Sequence, residues 1–307
     1  MRKLLVAGIL MCSSLIYLPV KAQYYFYNDK YYENAVVFEV GASGGIMNCL
    51  TDLGGNKGIG KKFIKDLNWK NTKPSFGGYF LANYMDKIAL RFEGTFGEVM
   101  AYDSILKDVA TTTTGRYERN LSFKSRISEF QLALEVHPLM FRKFDNEDPP
   151  RWSPYGIVGA GYFSFDPKAN LDGIWYSLQP LRLEGQGFKE YPDRKPYKLS
   201  QINIVGGLGV RYQLSPMFNT RFEIVHRTLF TDYLDDASSN SYIDPALFYN
   251  YLPPAQAAIA QRLYERKSEI TPEEPSKRTD ERGDPENNDS YFTIQLKIGF
   301  ALGRQKR

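Results

Sequence analysis

Ser290-Tyr-Phe-Thr-Ile-Gln-Leu-Lys-Ile-Gly-Phe-Ala-Leu-Gly303 alternates with a period of two. In an extended strand, Phe292, Ile294, Leu296, Ile298, Phe300 and Leu302 line one side, and Tyr291, Thr293, Gln295, Lys297, Gly299 and Ala301 line the other. One face is hydrocarbon and the other is mixed. The fold turns on which solvent meets each face.

The chain opens with Met1-Arg2-Lys3, continues through an apolar run over 4–18 and reaches Val20-Lys21-Ala22 before Gln23. That order of charge, short apolar stretch and small residue predicts a secretory signal peptide over 1–22, too short and too early for a spanning helix. Cys12 follows Met11, where a lipoprotein signal carries a small residue, so ordinary cleavage after Ala22 is expected. The mature domain, 23–307, keeps one cysteine, Cys49, and forms no internal disulfide. Loss of Arg2, Lys3 and Lys21 leaves 36 basic and 35 acidic residues, a formal charge of +1 that argues against a nucleic-acid binder.

No second apolar run reaches the roughly 20 residues that a spanning helix needs, so any membrane crossing falls to strands. The 22 Tyr, 20 Phe and 25 Gly suit strands and tight turns. After an aromatic segment at 24–32, eight stretches alternate: 35–47, 75–84, 87–102, 120–137, 155–166, 199–214, 217–232 and 290–302. Tight turns at 84–87 and 214–217 and a modest connection at 137–154 take turns with long polar segments at 49–73, 103–119, 167–198 and 233–289. This is the pattern of an all-β, eight-stranded antiparallel up-and-down outer-membrane barrel over 35–302, with turns on one membrane side and loops on the other.

The last loop, 233–289, carries helix signals. Asp244-Pro245 reads as N-cap and first helical residue, and Pro253-Pro254 precedes an Ala-rich stretch, 255–267, with basic residues in its final turn. The charged segment 271–288 contains Pro272, Pro275 and Pro285 and is expected to be mobile.

Alternation alone does not separate a soluble barrel with an apolar cup from a membrane barrel with an apolar belt. The polar set decides. It holds five acids, Glu39, Glu93, Glu129, Glu135 and Glu223, and five bases, Arg91, Arg211, Arg221, Arg227 and Lys297, interleaved with Gly41, Gly45, Gly97, Gly207, Gly209 and Gly299. Small residues among balanced charges suit a narrow filled lumen. An eight-stranded barrel is too narrow to bury Phe38, Phe92, Phe130, Leu132, Ile204, Leu208, Phe222 and their fellows inside, so these face outward. An outward apolar band is stable only in lipid, where strands must close to satisfy their backbone groups. Lys297 is therefore expected to hang into the lumen and pair with a glutamate. Strand five, with Gly156, Gly159 and Gly161, alternates too poorly to assign its faces.

Several phrases along the chain are distinctive: Arg119-Asn-Leu-Ser-Phe-Lys-Ser125, Phe165-Asp-Pro-Lys-Ala169, Gly173-Ile-Trp-Tyr-Ser-Leu-Gln-Pro180, Glu184-Gly-Gln-Gly187, Phe230-Thr-Asp-Tyr-Leu-Asp-Asp236 and Arg282-Gly-Asp-Pro285, followed by Asn288-Asp289. In this order they resemble the PorG-like outer-membrane barrel family of the phylum Bacteroidota, from the first strand to the C-terminus. The residues carrying the resemblance include Trp175, Gln179, Pro180, Gly185, Gly187, Asp232, Tyr233, Asp235, Asp236, Arg282, Gly283, Asp284 and Asp289. The resemblance implies a small barrel and, for its secretion members, an accessory role in type IX protein secretion beside a periplasmic ring of PorK- and PorN-like proteins. The long loop at 233–289 and the tail at 303–307 depart from the secretion component.

Other motifs weigh less. Gly55-Asn-Lys-Gly-Ile-Gly60-Lys61 nearly spells a phosphate loop, but Lys62 stands where Ser or Thr holds magnesium and no apolar helix follows, so a basic external loop is expected. Arg282-Gly-Asp284 is too short to imply adhesion. Asp232, Asp235 and Asp236 are the best candidate cation site, set against a role as turn and cap residues paired with Arg282. Trp175 and Tyr176 fit aromatic anchoring at the membrane boundary. The only histidines are His137, beside Pro138, and His226, which alternation sends toward lipid; neither has a visible Ser or Asp partner set.

The expectation is a non-enzymatic barrel in outer-membrane lipid, without cofactor, acting as an envelope anchor or accessory. Arg142, Lys143, Arg151, Arg304, Lys306 and Arg307 fall on the periplasmic side, where they would meet an acidic ring or serve as ordinary solubilising charges. A small-solute channel and an outer-membrane enzyme are the alternatives.

Overall fold

Each alternating stretch finds two neighbours, and the sheet closes. The computed structural model describes residues 35–55, 67–113, 115–142 and 149–302. The signal segment, the near-phosphate-loop sequence from Asn56 on and the tail at 303–307 lie outside them. The strands are β1 (Val36–Leu50), β2 (Lys73–Tyr84), β3 (Ile88–Tyr102), β4 (Ser122–Val136), β5 (Trp152–Ser164), β6 (Pro167–Leu171), β7 (Ile174–Ser177), β8 (Ser200–Gln213), β9 (Phe218–Leu229) and β10 (Ser290–Leu302). Antiparallel pairing runs β3, β2, β1, β10, β9, β8, β5, β4, and β4 pairs back onto β3 from Ile88–Val136 to Tyr102–Ser122. No spanning strand is left with a free edge, which is the condition for a sheet in hydrocarbon. The fold is an eight-stranded antiparallel barrel.

Sequence reading located all eight spanning strands within a few residues and missed one hairpin. β6 and β7 pair with each other and extend β4 beyond its contact with β5, Ser125 lying opposite Pro167 and Lys124 opposite Lys168. The β2–β3 connection is a β-turn closed by Lys87 N donating to the Tyr84 carbonyl at 3.0 Å, with its central residues Met85 and Asp86 at φ of 52° and 56°. Both central residues of such a turn need positive φ to match the strand twist, a conformation that glycine or asparagine usually supplies. Here the Asp86 carboxylate is anchored, accepting from Asn83 Nδ2 at 2.8 Å and from Arg211 Nη1 at 2.6 Å.

The two faces separate as the period of two demands. Phe38, Phe76, Phe92, Phe130, Leu132, Ile202, Leu208, Phe222, Leu296 and Ile298 are exposed on the outside. Among the described residues no helix is long and apolar enough to cross a membrane; the outward apolar belt of a closed barrel is the surface that suits lipid. The structure also resolves strand five: Ser153, Tyr155, Ile157 and Phe163 point inward and are buried, while Trp152, Val158 and Tyr162 are exposed.

The long connections share one end of the barrel and are folded. Met47, Val99, Phe123, Ile127, Phe163, Leu229 and Tyr291, from the outer ends of the strands, pack with Leu53, Leu121, Phe165, Tyr197 and Leu234 from the loops into an apolar plug. A second core joins the β6–β7 hairpin to helices α2 (Phe248–Tyr251) and α3 (Pro254–Leu263), burying Leu171, Leu181, Phe188, Ile243, Phe248 and Leu263. A four-residue helix, α1 (Arg116–Arg119), lies in the β3–β4 loop. Asp244 caps the turn at Pro245–Leu247 by accepting from Ala246 N at 3.0 Å, as its sequence indicates, whereas α3 ends at Leu263, short of the expected 267. The proline-rich 271–288 segment has no helix or strand, yet Arg282 and Gly283 within it are buried, so it packs into the cap.

Candidate functional site

Two arrangements hold the polar chemistry: a charge network in the bore and a set of clasps in the cap. In the bore, all ten charged residues read from alternation lie inside the barrel and are buried. Arg91 reaches three carboxylates: Glu93 at 3.1 Å, Glu135 at 2.8 Å and Glu223 at 2.5 Å. Arg221 donates to Glu39 at 2.9 Å and Glu135 at 3.2 Å, and Arg227 donates to Glu129 at 3.0 Å. Lys297 pairs with Glu93 and, at 3.0 Å, with Glu223. Arg211 sits at the turn end with Asp86.

Buried charges are tolerated only when partners replace their lost hydration. Neutral inward residues add to the set here. Tyr79 Oη donates to Glu39 at 2.6 Å, Asn219 Nδ2 to Glu39 at 2.6 Å, Tyr155 Oη to Glu223 at 2.5 Å and Asn203 Nδ2 to Glu129 at 2.7 Å. Sequence reading omitted these four because it counted charges alone. Their alternation parity was the available signal.

His137 departs from expectation. Its Nδ1 lies 3.0 Å from Ser153 Oγ and its Nε2 lies 3.4 Å from Glu135 Oε2, so a serine and a carboxylate do flank it. The Ser153 partner was invisible in sequence because strand five begins at Trp152, three residues before the stretch read from alternation, which left Ser153 in the 137–154 connection. All three residues are 0% exposed, and Glu135 is also held by Arg91 and Arg221. A serine nucleophile needs room for a carbonyl beside it, and Ser153 is fully buried. His226 lies on the outward face of β9.

In the cap, the distinctive phrases become clasps between loops. Arg282 Nη1 donates to Glu184 Oε1 at 2.7 Å and to the Asp236 carbonyl, while its own carbonyl accepts from Arg119 Nη1 at 2.7 Å. Arg119 also grips Asp103 through Nε at 2.8 Å and Nη2 at 2.9 Å. Glu184 Oε1 accepts from the amides of Ser238 and Ser239, each at 3.0 Å. The Asp235 carboxylate receives Leu53 N at 3.1 Å and Ala237 N at 2.9 Å, Asp289 receives Leu234 N at 2.8 Å, and Tyr197 Oη donates to Asp236 at 2.7 Å. Four loops are thereby tied together. The Arg282-Gly283-Asp284 tripeptide is not displayed for adhesion, since the Arg282 guanidinium is turned inward.

The remaining motif residues serve the same packing. Gly185 and Gly187 adopt φ of 74° and 79°, which favours glycine, and a Cβ on Gly283 would come within 2.6 Å of the Ala237 carbonyl carbon. Gln179 Nε2 donates to the Tyr197 carbonyl at 3.2 Å, and Pro180 lies in the short helical turn Gln179–Leu181. Tyr233 stacks on Tyr197 at 4.7 Å, Asp284 accepts from Asn287 Nδ2 at 2.6 Å, and Trp175 lies on β7 under the Lys124 ammonium.

Burial raises several cap carboxyls: Asp235 and Asp236 to about 7, Asp52 to about 8 and Asp232 to about 9, with neighbouring acids adding repulsion at Asp52 and Asp232. Asp232, Asp235 and Asp236 do not converge as a cation cage, because Asp235 is spent on backbone amides and Asp236 on Tyr197 and Arg282. Among the described residues, no group of three acids, histidines or cysteines has the geometry to hold a metal ion. An open cleft of about 1090 Å³ lies beside the clasps, lined by Asp52, Arg119, Tyr242, Lys267, Asp284 and Asp289 among others. Cys49 is buried in the apolar plug with no disulfide.

No protein-family model matches this chain, and no curated protein matches it. Among solved structures it is similar to the attachment invasion locus protein Ail of Yersinia pestis in complex with the heparin analogue sucrose octasulfate, at 9% identity and a TM-score of 0.34, covering 87% of this chain and 97% of that one. It is also similar to the outer membrane protein OprG of Pseudomonas aeruginosa, at 12% identity and a TM-score of 0.35, covering 87% and 95%. The N-terminal β-barrel domain of Pseudomonas aeruginosa OprF matches at 9% identity and a TM-score of 0.32, covering 88% and 98%. The membrane-barrel assignment rests on strand closure and the apolar belt.

Proposed function

We propose that this outer-membrane barrel is a non-enzymatic envelope anchor or accessory protein, and that the process it serves is type IX protein secretion. The observation that carries this reading is the filled bore. Charged side chains from opposing walls meet inside it, and the apolar plug covers its outer end, so the barrel offers a membrane-fixed body rather than a passage. The PorG-like phrases support the secretion role, and in this chain they build the cap that holds four loops in one arrangement.

On the turn side, Arg142 and Arg151 flank the β4–β5 connection; Lys143, Arg304, Lys306 and Arg307 lie outside the described residues. These bases are the elements that would meet an acidic periplasmic ring of PorK- and PorN-like proteins. The test is crosslinking and co-purification from native envelopes. Recovery of ring proteins with the natural chain, reduced several-fold when the six bases are changed to glutamine, is the expected result. Recovery of no ring protein removes the secretion role, and recovery unchanged by the substitutions removes the basic contact.

A further inference from the structure

The outward row of β4 changes character partway along. Val136, Leu134, Leu132 and Phe130 continue the apolar belt, Ser128 ends it, and Arg126 and Lys124 follow on the same face. The neighbours change at the same level. Phe96 and Ser164 lie opposite Ser128, Glu98 lies opposite Arg126, and Lys168 lies opposite Lys124. At about 3.4 Å per residue and a tilt of roughly 35–45°, Arg126 stands about 5 Å and Lys124 about 10 Å above Ser128. Headgroups occupy roughly 5–8 Å beyond each side of a hydrocarbon core about 30 Å thick. Arg126 therefore projects sideways at phosphate height, and Lys124 starts just above it with a stem long enough to bring its ammonium down to the same layer.

Their local charges are few. Lys168 pairs with Asp166 at 3.0 Å, and Asp166 also accepts from Ser177 Oγ at 3.1 Å. Lys124 Nζ lies 3.7 Å from the centroid of the Trp175 ring. Arg126 is exposed and its guanidinium makes no hydrogen bond or ion pair among the described residues, although Glu98 is its cross-strand neighbour. The row thus carries three cations against two carboxylates, one of them already engaged. Arg and Lys suit phosphate oxygens, and an indole beside them suits the boundary layer.

We propose that Arg126 and Lys124, flanked by Lys168 and Trp175, form a site for the phosphate of an outer-leaflet glycolipid of the lipid A class. The site faces the membrane because its residues continue a lipid-contacting row, and it lies on the loop side of the barrel. Its occupant is anionic because the row ends in net positive charge. This inference rests on the barrel's orientation in lipid and is independent of the secretion role.

The experiment is native mass spectrometry of the full mature chain in detergent, titrated with bisphosphorylated lipid A or with its dephosphorylated form. The natural chain is expected to hold the phosphorylated lipid roughly ten-fold more tightly. R126Q combined with K124Q is expected to lose that preference, R126Q alone to lose part of it, and the turn-side control K87Q to keep it, each with unchanged heat-dependent gel mobility. Equal retention of both lipids by the natural chain overturns the proposal, as does full preference in the folded double variant. Displacement by millimolar inorganic phosphate alone would assign the site to free phosphate and overturn the lipid assignment.

Discussion

Arg91 on β3 and Glu223 on β9 meet at 2.5 Å although their strands stand opposite one another, four pairings apart in either direction around the barrel. A bond of this kind ties facing walls together and fixes the bore at side-chain width. Removing one partner of a buried pair strands the other charge, at a cost of about 3–5 kcal/mol. Arg91→Met is expected to lower the unfolding free energy by about that much in denaturant titrations of the micelle-bound barrel. Adding Glu223→Gln to it is expected to recover part of the loss, since Lys297 keeps Glu93. An Arg91→Met barrel as stable as the natural one would mean that the network contributes little.

The same chords decide permeation. Ions crossing the bore would have to part Arg91 from Glu223 and Arg221 from Glu39, then displace the apolar plug under the cap. Flat current traces are expected for the purified chain in planar bilayers at high salt. Stable conductance steps would show that the bore rearranges in lipid and would favour the channel alternative.

How much of this was legible in the sequence depends on the range of the interaction concerned. Alternation set which residues of β10 and β9 face inward, so Lys297, Glu223 and Arg227 were assigned to the lumen from parity alone. Parity does not say which charges meet: Arg91 and Glu223 are 132 residues apart and become neighbours only when the sheet closes. The β6–β7 hairpin escaped notice because its strands are only five and four residues long: β6 alternates cleanly but over too short a run to stand out inside a long polar segment, and β7 does not alternate. The phrases around Glu184, Asp236 and Arg282 were visible as phrases, but their meaning as clasps needed the loops folded. Strand five hid its faces because glycine carries no polarity signal, and the Ser153 partner of His137 was missed because the strand begins three residues earlier than its alternation suggests.

Glycines on the two faces of the barrel, Gly299 inward and Gly206 on the outward row of β8, give a matched test. A Cβ on Gly299 would run into the Glu39 carboxylate and the Tyr79 hydroxyl, whereas a Cβ on Gly206 would meet nothing within 4 Å. Overpacking of a filled interior costs about 1–3 kcal/mol. Gly299→Ala is therefore expected to destabilise the barrel by about that amount, and Gly206→Ala to leave it nearly unchanged, in the same denaturant assay. Equal effects would mean that strand flexibility, and not crowding around Glu39, governs glycine here.

The cap carboxyls predict a dependence on pH with a definite sign. Asp235 and Asp236 titrate near 7, Asp52 near 8 and Asp232 near 9, against about 3.9 for an unfolded aspartate. The folded cap holds protons that the unfolded cap releases, so their stabilisation is complete below about pH 4 and is lost as pH rises through 7 to 9. Arg119 and Arg282 stay charged throughout and do not offset it, because each is already committed to Asp103 or to Glu184 and Asp236. Asp289, also raised by burial and by Asp235, Asp232 and Asp52, acts in the same direction. Protease cleavage within 230–289, corrected for the enzyme's own pH profile, is expected to accelerate from pH 5 to pH 9 while the barrel stays folded. Asp232→Asn, which keeps the shape and removes the last charge to form, is expected to flatten the upper part of that rise. Cleavage that slows with pH would reverse the sign and show that the cap acids are ionised and paired from the outset.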